Sequence, residues 1–433
     1  MKYHRNVAKT VCQNAPEMDL IFLKKYDSFE NRLWRLFMGQ KPVFRVLDTF
    51  AGAGGFSLGF KQAGCLISGA IEIDDWASFT FSYNHPQANV ITSDIRLLND
   101  KELYGQFKDD SPDIILGGPP CQGFSVANIK KGDPKDPRNT LFQEFIRLGR
   151  LFSPQIMVME NVPNLINIKT EKNENVTDII QNELIRLGYN VYKDILSAVD
   201  YGVPQIRKRL FIIASKKPLK NPFPLKTHDT VCNELFSASF YKTPTLWEAI
   251  SDLPEIEARE GDEEMDYTNN PQNEYQLKMR NSSCKVHNHK AMKHSKRLVE
   301  RFNSMKWGES TTDVPEYLRP IKRNSGNEIS DKTYDQNNRR MYPDRPCHTI
   351  PASFYANFVH PYKNRNFTAR EGARIQSFPD TYIFRGKATV VSHKLLAREE
   401  RLEEKFLCQY SQIGNAVPPL MAKAVAENII NQL

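Results

Sequence analysis

The sequence predicts an α/β fold: a doubly wound, mostly parallel sheet joined to a second, smaller domain. Three observations predict it. Five short, largely apolar runs between residues 43 and 214 have the texture of strands buried on both faces. Helical stretches separate them, and strand alternating with helix is the pattern of a parallel sheet with helices on both faces. After residue 215 this rhythm stops, and the chain turns polar and rich in Pro, Asn and Lys.

Taken in order, residues 17–38 space Phe22, Tyr26, Phe29, Leu33 and Leu36 by steps of four and three, which predicts an amphipathic helix within an extension of residues 1–42. The main domain, 43–215, carries predicted strands at 43–50, 65–71, 113–118, 155–160 and 209–214, with VIT (90–92) as a further one. Its helices fall at 55–63, 74–83, 139–152 and 175–188. A second domain, 216–405, holds an acidic patch (255–266) and then a basic stretch. Residues 285–345 contain 14 Lys and Arg against 8 Asp and Glu. HKAMKHSKRLVERFNSMKWGES (289–310) reads as a basic helix ending near Gly308, its cations meeting phosphates. A solvated insertion is the plainer alternative for this region. Residues 385–405 read as a solvated helix. Residues 406–433 end in PPLMAKAVAENIINQL, a helix whose apolar face returns to the sheet.

The chain has 59 Lys and Arg against 51 Asp and Glu, a formal charge of +8. That suits a polyanionic partner and equally suits ordinary solubility. Seven scattered cysteines without a CxxC pair argue for a reducing compartment and against a disulfide framework. With no signal-peptide pattern and no run of about 20 apolar residues, the expectation is a cytoplasmic protein.

DTFAGAGGFSLGF (48–60) reads as strand, glycine turn and helix start. Gly52, Gly54 and Gly55 allow a tight turn and close approach to a ligand. Eighteen residues past Gly54, Glu72 ends the second strand, where a carboxylate can accept from ribose hydroxyls; Asp94 stands where an adenine amino group would lie. Nicotinamide sites use the same geometry. GAGG lacks the third glycine of GxGxxG, however, and an adenosyl-sulfonium has no pyrophosphate to cradle. Together with the chemistry that surrounds it, this tilts the reading of the pocket from a nicotinamide cofactor to S-adenosylmethionine.

GGPPCQGFS (117–125) places Cys121 at a strand's carboxyl end. Pro119 and Pro120 fix two φ angles, while Gly117, Gly118 and Gly123 let the loop swing. A lone cysteine is usually an inert hydrophobe, but these flanks suit no core, so the thiol reads as reactive. Carbon 5 of a pyrimidine becomes nucleophilic once a thiolate adds to C6. That addition needs an acid near N3, which Glu160 of ENVPN (160–164) supplies, oriented by Asn161. It also needs donors at O2 and the phosphate, which QIRKR (205–209) offers in Gln205, Arg207 and Arg209.

Together DTFAGAGG, GGPPCQGFS, ENVPN, QIRKR, RPCHTIPA and QIGNAVPP, in this order from residue 48 to about 422, resemble the motif set of the DNA cytosine-5 methyltransferases. The resemblance implies Cys121 as nucleophile, Glu160 as the acid at N3, and Arg207 and Arg209 around O2 and the phosphate. It implies Phe50, Glu72, Ile73, Asp94, Ile95, Pro120, Asn415 and Val417 beside the three glycines in the cofactor pocket. Ile73 replaces the family's frequent aromatic there, so adenine would pack on an aliphatic surface. Gln122, Ser125 and Gln205 would meet DNA, and Gln336, Asn337, Asn338, Arg339 and Arg340 would reach base edges. Also implied are double-stranded DNA as partner, base extrusion under a PPCQGFSVAN lid, S-adenosylhomocysteine as product, a monomer, and pairing with a restriction endonuclease. Cys284, His287, His289 and His294 match no common zinc spacing, so no metal is expected and the histidines are read as part of a nucleic-acid face.

Three alternatives stay open. A tRNA-directed branch shares the fold but resembles PPCQPFT and carries CFT, whereas this chain has PPCQGFS and no CFT. A nicotinamide oxidoreductase leaves three motifs unexplained. A silent DNA binder would have no use for Cys121 and Glu160.

Overall fold

The computed structural model describes residues 43–120, 141–170, 173–230, 240–322, 328–330, 338–389, 393–401 and 406–433. The predicted helix at 17–38, Cys121, Gln122, Ser125, Gln336 and Asn337 lie outside the described residues. The chain forms two compact units, Met1–Val43 and Phe44–Leu433; every described residue but Val43 belongs to the second.

The sheet is built as the apolar runs dictate. β1 (Arg45–Thr49) leads through α1 (Gly55–Gln62) to β2 (Leu66–Glu72), and α2 (Asp75–Asn84) leads to β3 (Asn89–Thr92). α3 (Asp100–Phe107) crosses to β4 (Ile114–Gly117); α4 (Leu141–Phe152), β5 (Ile156–Asn161), α5 (Val176–Arg186), β6 (Asn190–Ser197), β7 (Gln205–Ile206) and β8 (Lys208–Ser215) follow. Strand order is β3-β2-β1-β4-β5-β8-β6, parallel except that β8 runs antiparallel to both β5 and β6. All residues of β4 and β5 are buried, as a central strand covered on both faces requires. Side chains of α1 and Phe81 of α2 join one apolar layer. Leu103, Phe107, Phe145, Ile180 and Leu184, from α3, α4 and α5, form the layer on the opposite face.

Helix starts are fixed by local chemistry. The Asp74 carboxylate accepts from the Ala77 amide, and Asn99 forms a capping box with Glu102. β6 escaped the sequence reading. It is an edge strand, so NVYKDILS carries Lys193 and Asp194 to solvent and shows no apolar run.

Beyond the sheet come short β9 (His228–Asp229) and β10 (Tyr241–Lys242), α6 (Leu246–Ile250), β11 (Gly261–Asp266), α7 (Glu274–Arg280), β12 (Lys285–Lys290) and α8 (Lys296–Asn303). The acidic patch and the start of the basic stretch pair as antiparallel strands β11 and β12, with Lys285–Asp266 and Lys290–Asp262 ion pairs across them. The basic helix predicted over 289–310 is thus corrected: only Lys296–Asn303 is helical, because the residues before it complete the ribbon. His289 and His294 are corrected too. Both are buried, His289 between Thr368 Oγ1 and the Pro254 carbonyl, rather than on a nucleic-acid face.

The chain closes through β13 (Arg339–Arg340), β14 (Cys347–His348), α9 (Phe354–Asn357), β15 (Phe358–Val359), α10 (Ala369–Ile375), α11 (His393–Arg398), α12 (Gln409–Asn415) and α13 (Pro419–Ile430). Among the described residues of the predicted helix at 385–405, α11 alone is helical; the Arg385 guanidinium lies 3.9 Å from the centroid of the Tyr83 ring on α2. The predicted C-terminal helix docks on α1 so closely that a Cβ on Gly59 would come within 2.4 Å of Ala422 Cβ.

α10 is the centre of a buried ionic network. Arg365 is bidentate to Glu371 at 2.7 and 2.8 Å, and Arg374 joins Asp380 to Asp252. Burial lowers His289 to a pKa of about 4 and His360 to about 3. A histidine depressed in the folded state contributes stability that is complete above its unfolded value, about 6.5, and lost as pH falls toward the folded value. Asp48, raised by burial to about 7, has the opposite sign, so the comparison must be with a variant. The stability advantage of the native protein over His289→Gln should shrink from pH 7.5 to pH 5, by up to about 1.4 kcal/mol per unit below 6.5. Urea unfolding at three pH values reads this, and a pH-independent difference would contradict it.

Candidate active site and cofactor pocket

The residues expected to form the cofactor and catalytic sites stand at or just after the carboxyl ends of β1, β2, β3, β4 and β5. β1 runs into the glycine turn through Phe50, which takes a left-handed φ of 59°. Such strain in a non-glycine residue collects at functional sites. The Gly52 amide donates to Glu72 Oε2 at 2.6 Å, and the Ile73 and Asp74 amides donate to Oε1, each at 2.9 Å. With one amide on Oε2 and two on Oε1, Oε2 keeps one acceptor position. Burial raises the Glu72 carboxyl, against the pull of these amides.

The three glycines differ in purpose. A Cβ on Gly52 would meet nothing within 4 Å. On Gly54 it would strike the Tyr382 hydroxyl at 2.5 Å, and on Gly55 the Val417 carbonyl at 2.4 Å. Gly52 therefore faces open space, while Gly54 and Gly55 make room for protein. That close approach brings the QIGNAVPP loop onto the turn, with Asn415 exposed beside it. Ile73 is exposed at the end of β2, and Ile95 is buried under β3. Asp94 caps the turn after β3 and holds Arg96 at 2.5 Å, which keeps its carboxyl below the usual range. An open glycine, exposed Ile73, two strand-end carboxylates and an exposed Asn415 fit an adenosyl group.

Across the sheet, Glu160 ends β5. The residue is 9% exposed, and its carboxylate pairs with Arg209 Nε at 2.9 Å. Burial raises its pKa; Arg209 and then Arg207 oppose this. The same strand end holds the start of the PPCQ loop. Asn161 Nδ2 donates to the Pro119 carbonyl at 2.9 Å, and a Cβ on Gly118 would lie 3.6 Å from Glu160 Oε2. Pro120, half-buried, leads directly to Cys121 in sequence.

The C-5 cytosine-specific DNA methylase family model matches residues 44–431. The chain belongs to that family. It is a DNA cytosine-5 methyltransferase, and the family's use of S-adenosylmethionine agrees with the pocket. It is 51% identical over 384 residues to the type II methyltransferase M.DdeI of Desulfomicrobium norvegicum, covering 89% of this chain and 88% of that one. To the type II methyltransferase M1.HphI of Haemophilus parahaemolyticus it is 34% identical over 385 residues, covering 89% and 86%. Among solved structures, a prophage-encoded E. coli protein assigned as a DNA modification methyltransferase superposes with a TM-score of 0.65 at 28% identity, covering 90% of this chain and 99% of that one. No helix among the described residues is long and apolar enough to cross a membrane.

Three sequence assignments in this methyltransferase are corrected by burial. Gln205 is fully buried, its Nε2 donating to Gln376 Oε1 at 2.6 Å and its Oε1 accepting from the Ile350 amide at 3.0 Å, so it does not meet DNA. Arg340 is a buried clamp on the carbonyls of Phe302, His360, Pro361 and Lys363 and cannot read a base edge. Arg339, on the same short strand, is half-buried and gives Nη1 to the Gly308 carbonyl at 2.8 Å.

Arg207 is the third. Its guanidinium is 1% exposed and donates to the carbonyls of Ile350 (3.2 Å), Gly414 (3.1 Å) and Ala416 (3.1 Å). Those last two flank Asn415. Arg207 thus shapes the QIGNAVPP loop around Asn415, with Gln376 Nε2, just past α10, holding the Ile413 and Ala416 carbonyls, and the buried Arg207 guanidinium is not placed to face a base. Arg207→Lys keeps a charge but cannot span three acceptors. It should lower stability by about 2–3 kcal/mol and weaken S-adenosylhomocysteine binding. Urea unfolding and calorimetry check both; unchanged values would show the clamp to be dispensable.

Proposed function

We propose that this methyltransferase modifies C5 of one cytosine within a specific duplex sequence, through a covalent bond between Cys121 and C6 of an extruded base. The observation that carries this reading is the buried Glu160–Arg209 pair at the end of β5, beside the chain that leads through Pro119 and Pro120 to Cys121. The Cys121 thiolate forms the C6–S bond as the protonated Glu160 carboxyl gives its proton to N3. Burial favours that protonated form. Arg209, held by Glu160, offers its remaining donors to O2 as charge develops on the ring. When bound by Gly52, Glu72, Ile73, Asp94 and Asn415, S-adenosylmethionine supplies the electrophilic methyl group and leaves as S-adenosylhomocysteine. Loss of the C5 proton then expels the thiolate, N3 returns its proton to the Glu160 carboxylate, and the aromatic ring is restored.

The type II names of the relatives support a protective role, in which the methylated sequence is shielded from a partner endonuclease in the cytoplasm. Residues 216–405 form the recognition region in this reading, with α8 and its flanks supplying phosphate contacts. The enzyme acts as a monomer and needs no metal. Incubation with labelled S-adenosylmethionine and mixed-sequence duplex DNA, followed by deamination sequencing, tests the reading. Methylation confined to one short sequence supports it. Label absent from duplex DNA and present on tRNA would replace it with the RNA-directed alternative.

A further inference from the structure

We propose that Tyr382, backed by His85, is a positioning residue for the cofactor turn and seats that turn from outside the sheet. This rests on the turn being the S-adenosylmethionine site. Tyr382 is 3% exposed and lies after α10, yet its hydroxyl donates to the Ala53 carbonyl at 2.5 Å, in the middle of the GAGG turn. The same hydroxyl lies 3.3 Å from His85 Nε2 at the end of α2. A phenol has one hydrogen, and here it points at Ala53. His85 must therefore carry its own hydrogen on Nε2 and donate to the phenol oxygen. Its Nδ1 is buried without a protein partner among the described residues, as the unprotonated nitrogen of that tautomer.

The contact also accounts for Gly54. At φ 85° its missing Cβ would lie 2.5 Å from the Tyr382 oxygen and 3.2 Å from His85 Nε2. The turn is bare there because the brace occupies the space. Tyr382 belongs to the proposed recognition region and is held within it. Its carbonyl accepts from Arg370 Nη2 at 2.8 Å, and Arg370 Nε donates to the His287 carbonyl of β12 at 2.7 Å. The position of Ala53, and with it the Gly52 amide that meets Glu72, is therefore set by a side chain anchored to the recognition region.

Tyr382→Phe keeps the ring packed between Phe378 and Phe384 and removes only the hydroxyl. Calorimetric titration with S-adenosylhomocysteine should show Kd raised about five- to tenfold, the size of one lost hydrogen bond. The KM for S-adenosylmethionine should rise in parallel, with kcat and duplex affinity unchanged. His85→Phe should raise Kd in the same sense by about threefold. Tyr410→Phe is the control for simple loss of a buried hydroxyl. It loses a 3.1 Å bond to the Phe367 carbonyl and should lower Tm without moving Kd. A native Kd in Tyr382→Phe and His85→Phe, or an equal rise in Tyr410→Phe, would overturn the brace. No binding of S-adenosylhomocysteine by the unaltered protein would instead overturn the cofactor reading beneath it.

Discussion

Serine at position 121 should abolish methyl transfer while leaving cofactor binding within about twofold of the native value. A hydroxyl has a far higher pKa than a thiol and is the weaker nucleophile toward C6, so the step that makes C5 nucleophilic is lost rather than slowed slightly. Removing the nucleophile from a concerted catalytic set commonly costs about 10⁴- to 10⁶-fold. The proposed cofactor pocket is built mainly from other elements, the glycine turn, β2, β3 and the loop after α12, with only Pro120 from the loop of Cys121. Calorimetry with S-adenosylhomocysteine should therefore be nearly blind to the change. Residual activity within tenfold of native would show that the reaction does not pass through Cys121.

Glu160→Gln should lower kcat by about 10²- to 10⁴-fold, the range for one positioned acid. Two features of the site combine here. Glutamine fills the same space but cannot give N3 a proton, and it leaves the half-buried Arg209 guanidinium without its carboxylate at 2.9 Å. An unpaired cation at this depth will shift, so the contact at O2 is weakened as well. The loss should appear in single-turnover methyl transfer with cofactor Kd unchanged. An equal loss of duplex affinity and rate would assign Glu160 to binding instead.

Much of this enzyme was legible because its chemistry sits at strand ends. Central strands such as IMVM and IILG are apolar throughout, so their ends, and the residues just after them, can be located from the sequence. Glu72, Asp94 and Glu160 stand where that reading put them. β6 was missed for the complementary reason, being half-exposed at the edge. The larger errors concern polar residues whose partners are remote in sequence. Arg207 meets carbonyls 143 to 209 residues away, and Arg340 closes a loop of the recognition region. In a sequence, an arginine beside other cations reads as a polyanion contact; only the fold reveals that carbonyls surround it. Tyr382 carried no signal at all, because a tyrosine following FPDT gives no hint of a contact with residue 53. The basic helix failed at its start because HKAMKHSK lacks an apolar stripe, and its first residues, His289 and Lys290, end a strand paired with the acidic one before it.

The covalent bond is the central claim, and the most direct measurement of it is a trapping experiment. Duplexes of mixed sequence carrying 5-fluorocytosine, which has no C5 proton to lose, would be incubated with the enzyme and S-adenosylmethionine and then denatured. A protein–DNA adduct that survives denaturation, maps by peptide mass to Cys121 and is absent from Cys121→Ser is the predicted result. Methylation of ordinary cytosine duplexes with no such adduct would contradict the account.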